Sequence, residues 1–98
     1  MTDQDLLRGF RDASLPAAAF RHAQHVRVAW LYLEEGAGER FAPDLIRYAT
    51  AHGASAKYSE SITRTWLDAI AARRNGEATW SEFAAANPDL LIFKRTAA

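Results

Sequence analysis

Two histidines interrupt the apolar face of the most hydrophobic helical stretch of this chain, residues 20–33. On a helix that advances about 100° per residue, His22 and His25 lie on the same face as Val26 and Ala29. Such a face packs into the protein interior, where an imidazole must be hydrogen-bonded or coordinated. Residues at positions i and i+3 are neighbours on a helix, so the pair can hold one group between them. The sequence therefore predicts a helix with a polar site at the middle of its buried face.

The composition predicts a folded protein whose net charge is close to zero. Of the 98 residues, 49% are hydrophobic, and 12 basic residues balance 12 acidic ones. A chain of this length forms one domain, and its neutrality gives no general attraction to nucleic acid or anionic lipid. The absence of cysteine excludes disulfides and thiolate metal sites. Because no apolar signal segment or membrane-spanning run is present, we expect a cytoplasmic protein without membrane or nucleic-acid partners.

Helix start and stop signals divide the chain into five helical segments. One begins after Thr2 and ends before Pro16, and the others cover residues 16–35, 43–52, 56–74 and 79–87. Pro43 is expected to open the third segment. No alternating strand pattern of useful length is present. These signals predict an all-α fold in a single domain, residues 1–98, built as a compact bundle of four main helices plus a short C-terminal helix.

The fourth predicted helix has polar residues within its apolar side. That side consists of Tyr58, Ile62, Trp66, Ala69 and Ile70. Ser59 and Thr63 fall inside it, and Glu60 lies at its edge. Serine and threonine hydroxyls in a helix often hydrogen-bond to a backbone carbonyl of the preceding turn. Opposite a helix with two inward histidines, however, Ser59 and Thr63 become candidate site residues.

Several segments together resemble a signature of small, uncharacterised bacterial all-α proteins. The first is F-x-H-x-x-H-x-x-x-A-W-x-Y-L at residues 20–33, and the others are A-H-G at 51–53, K-Y-S-E-S-I-T at 57–63, and F-x-x-x-N-P-x-L at 83–90. Such proteins typically carry K-Y-H-E-T-x-T, so Ser59 stands where a histidine is usual, and Ser61 where threonine is usual. The resemblance implies an architecture and a candidate site, but no reaction.

Two kinds of site fit these residues. In the first, His22, His25, His52 and Glu60 bind a divalent transition metal in the bundle, since imidazole and carboxylate ligands suit Fe, Cu, Ni or Zn. In the second, a metal-free pocket binds a small molecule, with a histidine as acid or base and with Tyr58, Ser59 and Thr63 orienting the ligand. Both describe a metal- or small-ligand-dependent enzyme of unknown reaction. Neither kind of site identifies the substrate.

Two further interpretations assign the histidines no functional role. Each can be structural: His52 precedes Gly53 at a helix end, and His22 and His25 can be satisfied by hydrogen bonds inside the fold. Alternatively, the protein is a dimerisation or partner-binding module, because residues 90–93 form an apolar tail without a strand partner. Under this second interpretation, we expect a homodimer that forms through the tail.

Overall fold

Five α-helices form the described part of the chain. The structure, a computed structural model, describes residues 1–92. The helices are α1 (Asp3–Arg11), α2 (His22–Glu34), α3 (Gly38–Ala51), α4 (Glu60–Arg73) and α5 (Trp80–Ala86). Short 3₁₀ segments lie at Ala17–Ala19, Ser55–Lys57 and Pro88–Leu91. Because residues 1–92 contain no β-strand, the predicted all-α class is confirmed.

Local capping interactions set several helix ends, as the sequence predicts. The Thr2 hydroxyl accepts a hydrogen bond from the Asp5 backbone N–H at 3.1 Å, and the Thr79 hydroxyl accepts one from the Glu82 N–H at 3.2 Å. Each bond satisfies a donor that the helix itself leaves unpaired. Gly53, which follows α3, has φ of 68°, a left-handed conformation that glycine adopts without strain.

The prediction that Pro43 opens the third helix is wrong, since α3 begins five residues earlier at Gly38. Phe41 explains the extra turn, because its side chain is buried against the rings of Phe10 and Tyr32. Pro43 is exposed within the helix and lacks one backbone N–H donor. Burial of the aromatic ring on the preceding turn outweighs this local loss.

In contrast to the third helix, the second and fourth helices begin later than predicted. Residues 16–21 contain a 3₁₀ segment and then the extended residue Arg21, and α2 starts at His22. Likewise, a 3₁₀ segment and the extended residue Tyr58 precede α4. The Ser59 hydroxyl caps α4 by accepting a hydrogen bond from the Ile62 N–H at 3.3 Å. Ser59 therefore stands at the helix entrance and not on the face of the helix.

The hydrophobic core is centred on Phe10 of α1. Its ring lies 5.2 Å from Phe20, 5.8 Å from Tyr32, 5.9 Å from Phe41 and 5.6 Å from Tyr48, measured between centroids. All five side chains are buried. This cluster joins α1 to α2 and α3, and the tilted and edge-on geometries are those that aromatic rings favour.

Helix α4 covers the opposite side of α2 less completely. Ile70 is its only buried residue, Trp66 is half-buried, and Ile62 is 54% exposed. Ile46 of α3 is also 43% exposed. Ile62, which the sequence predicts on the apolar side of its helix, therefore lies largely at the surface.

The predicted apolar tail begins inside the fold. Leu90 is buried, Leu91 packs partly against the core, and Ile92 is 58% exposed. Phe93, the last residue of that tail, lies outside the described residues. Dimerisation through the tail stays a prediction. Within residues 1–92, no helix has the length and apolar character to cross a membrane.

Candidate functional site

An open cleft with a volume of about 760 Å³ lies between α2, α3 and α4. Six of the seven predicted site residues line it: His22, His25, His52, Tyr58, Ser59 and Thr63. Most of the remaining wall is apolar, and it includes Val26, Ala29, Leu45, Ile62, Trp66 and Leu67. Glu60 is the predicted residue that does not line the cleft. The structure therefore brings residues of three separate sequence motifs to one cavity.

His22 is held between α4 and the C-terminal 3₁₀ segment. Its Nε2 lies 2.9 Å from the carbonyl oxygen of Leu90. A carbonyl only accepts, so Nε2 carries the proton, and in the neutral ring Nδ1 keeps its lone pair. The ring also meets the Trp66 indole edge-on, with centroids 4.7 Å apart. These contacts fix the orientation of the imidazole at the cleft.

His25 lies deeper in the cleft and is uncharged at neutral pH. Its ring stacks on Phe20, with centroids 3.9 Å apart and planes 19° apart. The pKa of His25 is lowered to about 4, mainly by burial and also by the neighbouring His22, while a hydrogen bond with the Phe20 backbone acts in the opposite direction. A neutral imidazole offers a ligand one donor and one acceptor rather than a charge.

His52 has a clear structural role at the end of α3. Its Nε2 donates to the carbonyl oxygen of Ala13 at 3.0 Å, and its ring packs on Tyr48 with centroids 4.4 Å apart. Ala13 has φ of 62° in the turn after α1, a conformation that costs a non-glycine residue free energy. The bond from His52 therefore ties α3 to this turn while the imidazole lines the cleft.

The residues around the start of α4 form a short hydrogen-bond network. The Tyr58 hydroxyl donates to the Glu60 carboxylate at 2.9 Å, and the pKa of Tyr58 is raised by partial burial and by this bond. The Ser59 hydroxyl caps the helix and lies 3.3 Å from the Ser61 hydroxyl. Thr63 is half-buried on the first turn of α4. Glu60 is exposed and lies 3.8 Å from the Arg64 guanidinium, so it is occupied at the surface.

The donor set does not form a ready metal centre. Within residues 1–92, no three side chains of His, Cys, Asp or Glu come together closely enough to hold a metal ion. Two of the four predicted ligands, His22 and His52, already donate Nε2–H to backbone carbonyls, and Glu60 does not line the cleft. Metal binding by these residues stays a prediction.

Two cationic residues of the cleft were missed by the sequence reasoning. Arg21 and Lys57 both line it, and each directly precedes a predicted site residue, His22 or Tyr58. That adjacency was the available signal. A charged residue beside a site motif is commonly assigned to the solvated surface, and only the fold shows that both residues approach the same cavity.

Comparison with known proteins adds no relative. No protein-family model matches the chain, and neither curated proteins nor solved structures give a match. The resemblance drawn from the motifs stays a prediction, and the proposals below stand on the geometry of the cleft.

Proposed function

We propose that this protein binds a small organic molecule in the cleft between α2, α3 and α4. The observation that carries the proposal is the convergence of His22, His25, Ser59 and Thr63 on one mostly apolar cavity of about 760 Å³. Small-molecule sites typically combine this scale of volume, apolar walls and a few polar groups that orient the ligand. An exposed isoleucine, Ile62, in the cleft wall is also expected where a ligand supplies the missing apolar contact.

The pKa shifts of two groups in the cleft, His25 and Tyr58, favour binding over proton transfer by these groups. With a pKa of about 4, His25 is a weak base at neutral pH, whereas an efficient general base has a pKa near the working pH. The raised pKa of Tyr58 keeps its hydroxyl protonated. His25 and Tyr58 thus present neutral hydrogen-bonding groups to a ligand, and the proposal includes no reaction.

The proposal is tested with a neutral amphiphilic probe, phenylbutyramide, titrated into the ¹⁵N-labelled protein. Its dozen non-hydrogen atoms predict a Kd on the order of 1 mM. We expect saturable shifts at the Trp66 indole N–H and the Thr63 backbone N–H. Shifts that never saturate, or that lie outside the cleft, would overturn the proposal.

A matched pair of variants sharpens this test. Ala49 is a half-buried residue of the cleft wall, so Ala49→Leu places three additional carbon atoms in the cavity. Ala72 is exposed on α4 and does not line the cleft, so Ala72→Leu is the control. We expect Ala49→Leu to weaken phenylbutyramide binding at least tenfold and Ala72→Leu to leave it unchanged. Equal affinities in the two variants would place the probe elsewhere.

A further inference from the structure

Most of the basic side chains among residues 1–92 lie beside a carboxylate. Seven arginines each lie within ion-pair distance of a carboxylate: Arg8, Arg11, Arg27, Arg47, Arg64, Arg73 and Arg74. Among the described residues, Arg21, Arg40 and Lys57 have no such carboxylate. Two of these three line the cleft, whereas Arg40 lies on a different surface depression beside Tyr32.

The cleft is also free of acidic side chains. Within residues 1–92, its lining includes Arg21 and Lys57 but no aspartate or glutamate. Glu60 is the acidic residue nearest in sequence to this wall, and its carboxylate is engaged by the Tyr58 hydroxyl and by Arg64. A cavity lined by one sign of charge with apolar walls concentrates the field and favours a ligand of opposite charge.

A second contribution has the same sign. The N-terminus of α2 opens at the cleft with Arg21 and His22, and its first turn contains no acidic residue. The unpaired backbone N–H groups at a helix start carry a partial positive charge, which adds to the field of the two cations. Most of the rest of the wall is apolar, from Val26 on α2 to Leu67 on α4.

We propose that the ligand of this cleft is an organic anion, with an apolar body against α2 and α4 and a carboxylate-type head held by Arg21 and Lys57. This inference rests on the proposed function and specifies its ligand class. Both cations are exposed, so the attraction is screened by salt and of moderate size. The head is charged and the body fills a cavity, so the two parts can be tested separately.

Three probes with the same phenylalkyl body separate this inference from the proposed function. Phenylbutyrate is an anion, phenylbutyramide is neutral, and phenylbutylamine is a cation at neutral pH. At low ionic strength we expect phenylbutyrate to bind about three- to tenfold more tightly than the amide, and the amine to bind more weakly than both. Raising the salt concentration to about 0.5 M should remove most of the difference.

Each outcome bears on one proposal. Binding of none of the three probes overturns the proposed function and this inference together. Equal binding of the three probes, or tighter binding of the amine, keeps the cleft as a binding site and overturns the anionic ligand. The expected order with the expected salt dependence supports both.

Charge-neutralising variants locate the effect. We expect Arg21→Gln and Lys57→Gln each to reduce the preference for phenylbutyrate over the amide by about twofold or more. Arg40→Gln is the matched control, because it removes an unpaired cation outside the cleft. If Arg40→Gln reduces the preference as much as the cleft variants do, the anion responds to overall charge and the assignment to Arg21 and Lys57 is wrong.

Discussion

Helix α2 has two sides that differ in how completely they are packed. On one side, Phe10 of α1 is fully buried and contacts four other aromatic rings. On the other side, Ile70 is the only buried residue of α4, Ile62 is largely exposed, and an open cleft lies between the helices. Phe20 belongs to both sides, since it packs on Phe10 and also carries the His25 ring. The difference indicates that stability is concentrated on the α1 side, and the ligand binding that we propose falls on the α4 side.

The largest expected effect is on the α1 side. Phe10→Ala removes a fully buried ring, so the free energy of unfolding should fall by about 3–5 kcal/mol, as for other large-to-small core changes. Chemical denaturation followed by circular dichroism measures this loss. A loss below about 1 kcal/mol would show that the aromatic cluster is not the main core and would remove the contrast between the two sides.

Next in size is a pH dependence from His25, which joins the two sides. Its pKa of about 4 in the folded protein lies below the ordinary value of 6.5, so between these values the unfolded chain binds a proton that the folded protein does not. Stability from this group is complete above pH 6.5 and decreases as the pH falls toward 4. The loss should amount to about 2–3 kcal/mol.

The comparison with His25→Gln isolates this effect. The variant lacks the titrating ring, and the surface carboxylates titrate alike in both proteins, so their contributions cancel in the difference. Denaturant melts of both proteins at pH 4, 5, 6 and 7 measure the difference in the free energy of unfolding across the pH range in which His25 titrates. A constant difference across the series would contradict the lowered pKa.

A smaller effect is expected on the α4 side. Trp66 is half-buried at the cleft, so Trp66→Ala should cost about 1–3 kcal/mol, less than Phe10→Ala. The same variant should weaken phenylbutyramide binding, because the indole forms part of the wall. Urea melts and the probe titration measure the two quantities. If Trp66→Ala destabilises the protein as much as Phe10→Ala, the two sides share the stability evenly.

The smallest stability effect comes from the cap of α4, and the same variant tests the metal hypothesis. Ser59→His removes the hydroxyl that accepts from the Ile62 N–H, which should cost about 1 kcal/mol. It also adds a fourth imidazole to the cleft, which His22, His25 and His52 already line. If these residues bind metal, the affinity for Zn, Ni, Cu or Fe should rise at least tenfold, measured by calorimetric titration.

Ser61→His serves as the control for that titration, because Ser61 is exposed and does not line the cleft. Each variant adds one imidazole near the start of α4, so non-specific binding to histidine is matched. Similar metal affinity for Ser59→His and Ser61→His would remove the metal hypothesis and leave the organic ligand.

The fold and part of the site could be predicted because their signals are local or periodic. The 3.6-residue pattern placed His22 and His25 on one helix face, and both line the cleft. The same reasoning placed Ile62 inward, yet it is 54% exposed. A wheel identifies the apolar side of a helix, but how closely that side meets a neighbour depends on the packing angle and on the length of the connecting segments.

The sequence by itself determined the all-α class and the helix ends formed by Thr2, Thr79 and Gly53, because capping depends on atoms within a few residues of one another. Only the tertiary structure decided that His22 donates to the Leu90 carbonyl and that Arg21 and Lys57 approach one cleft. These groups are far apart in the chain, so their meeting depends on how the helices pack and not on any local preference.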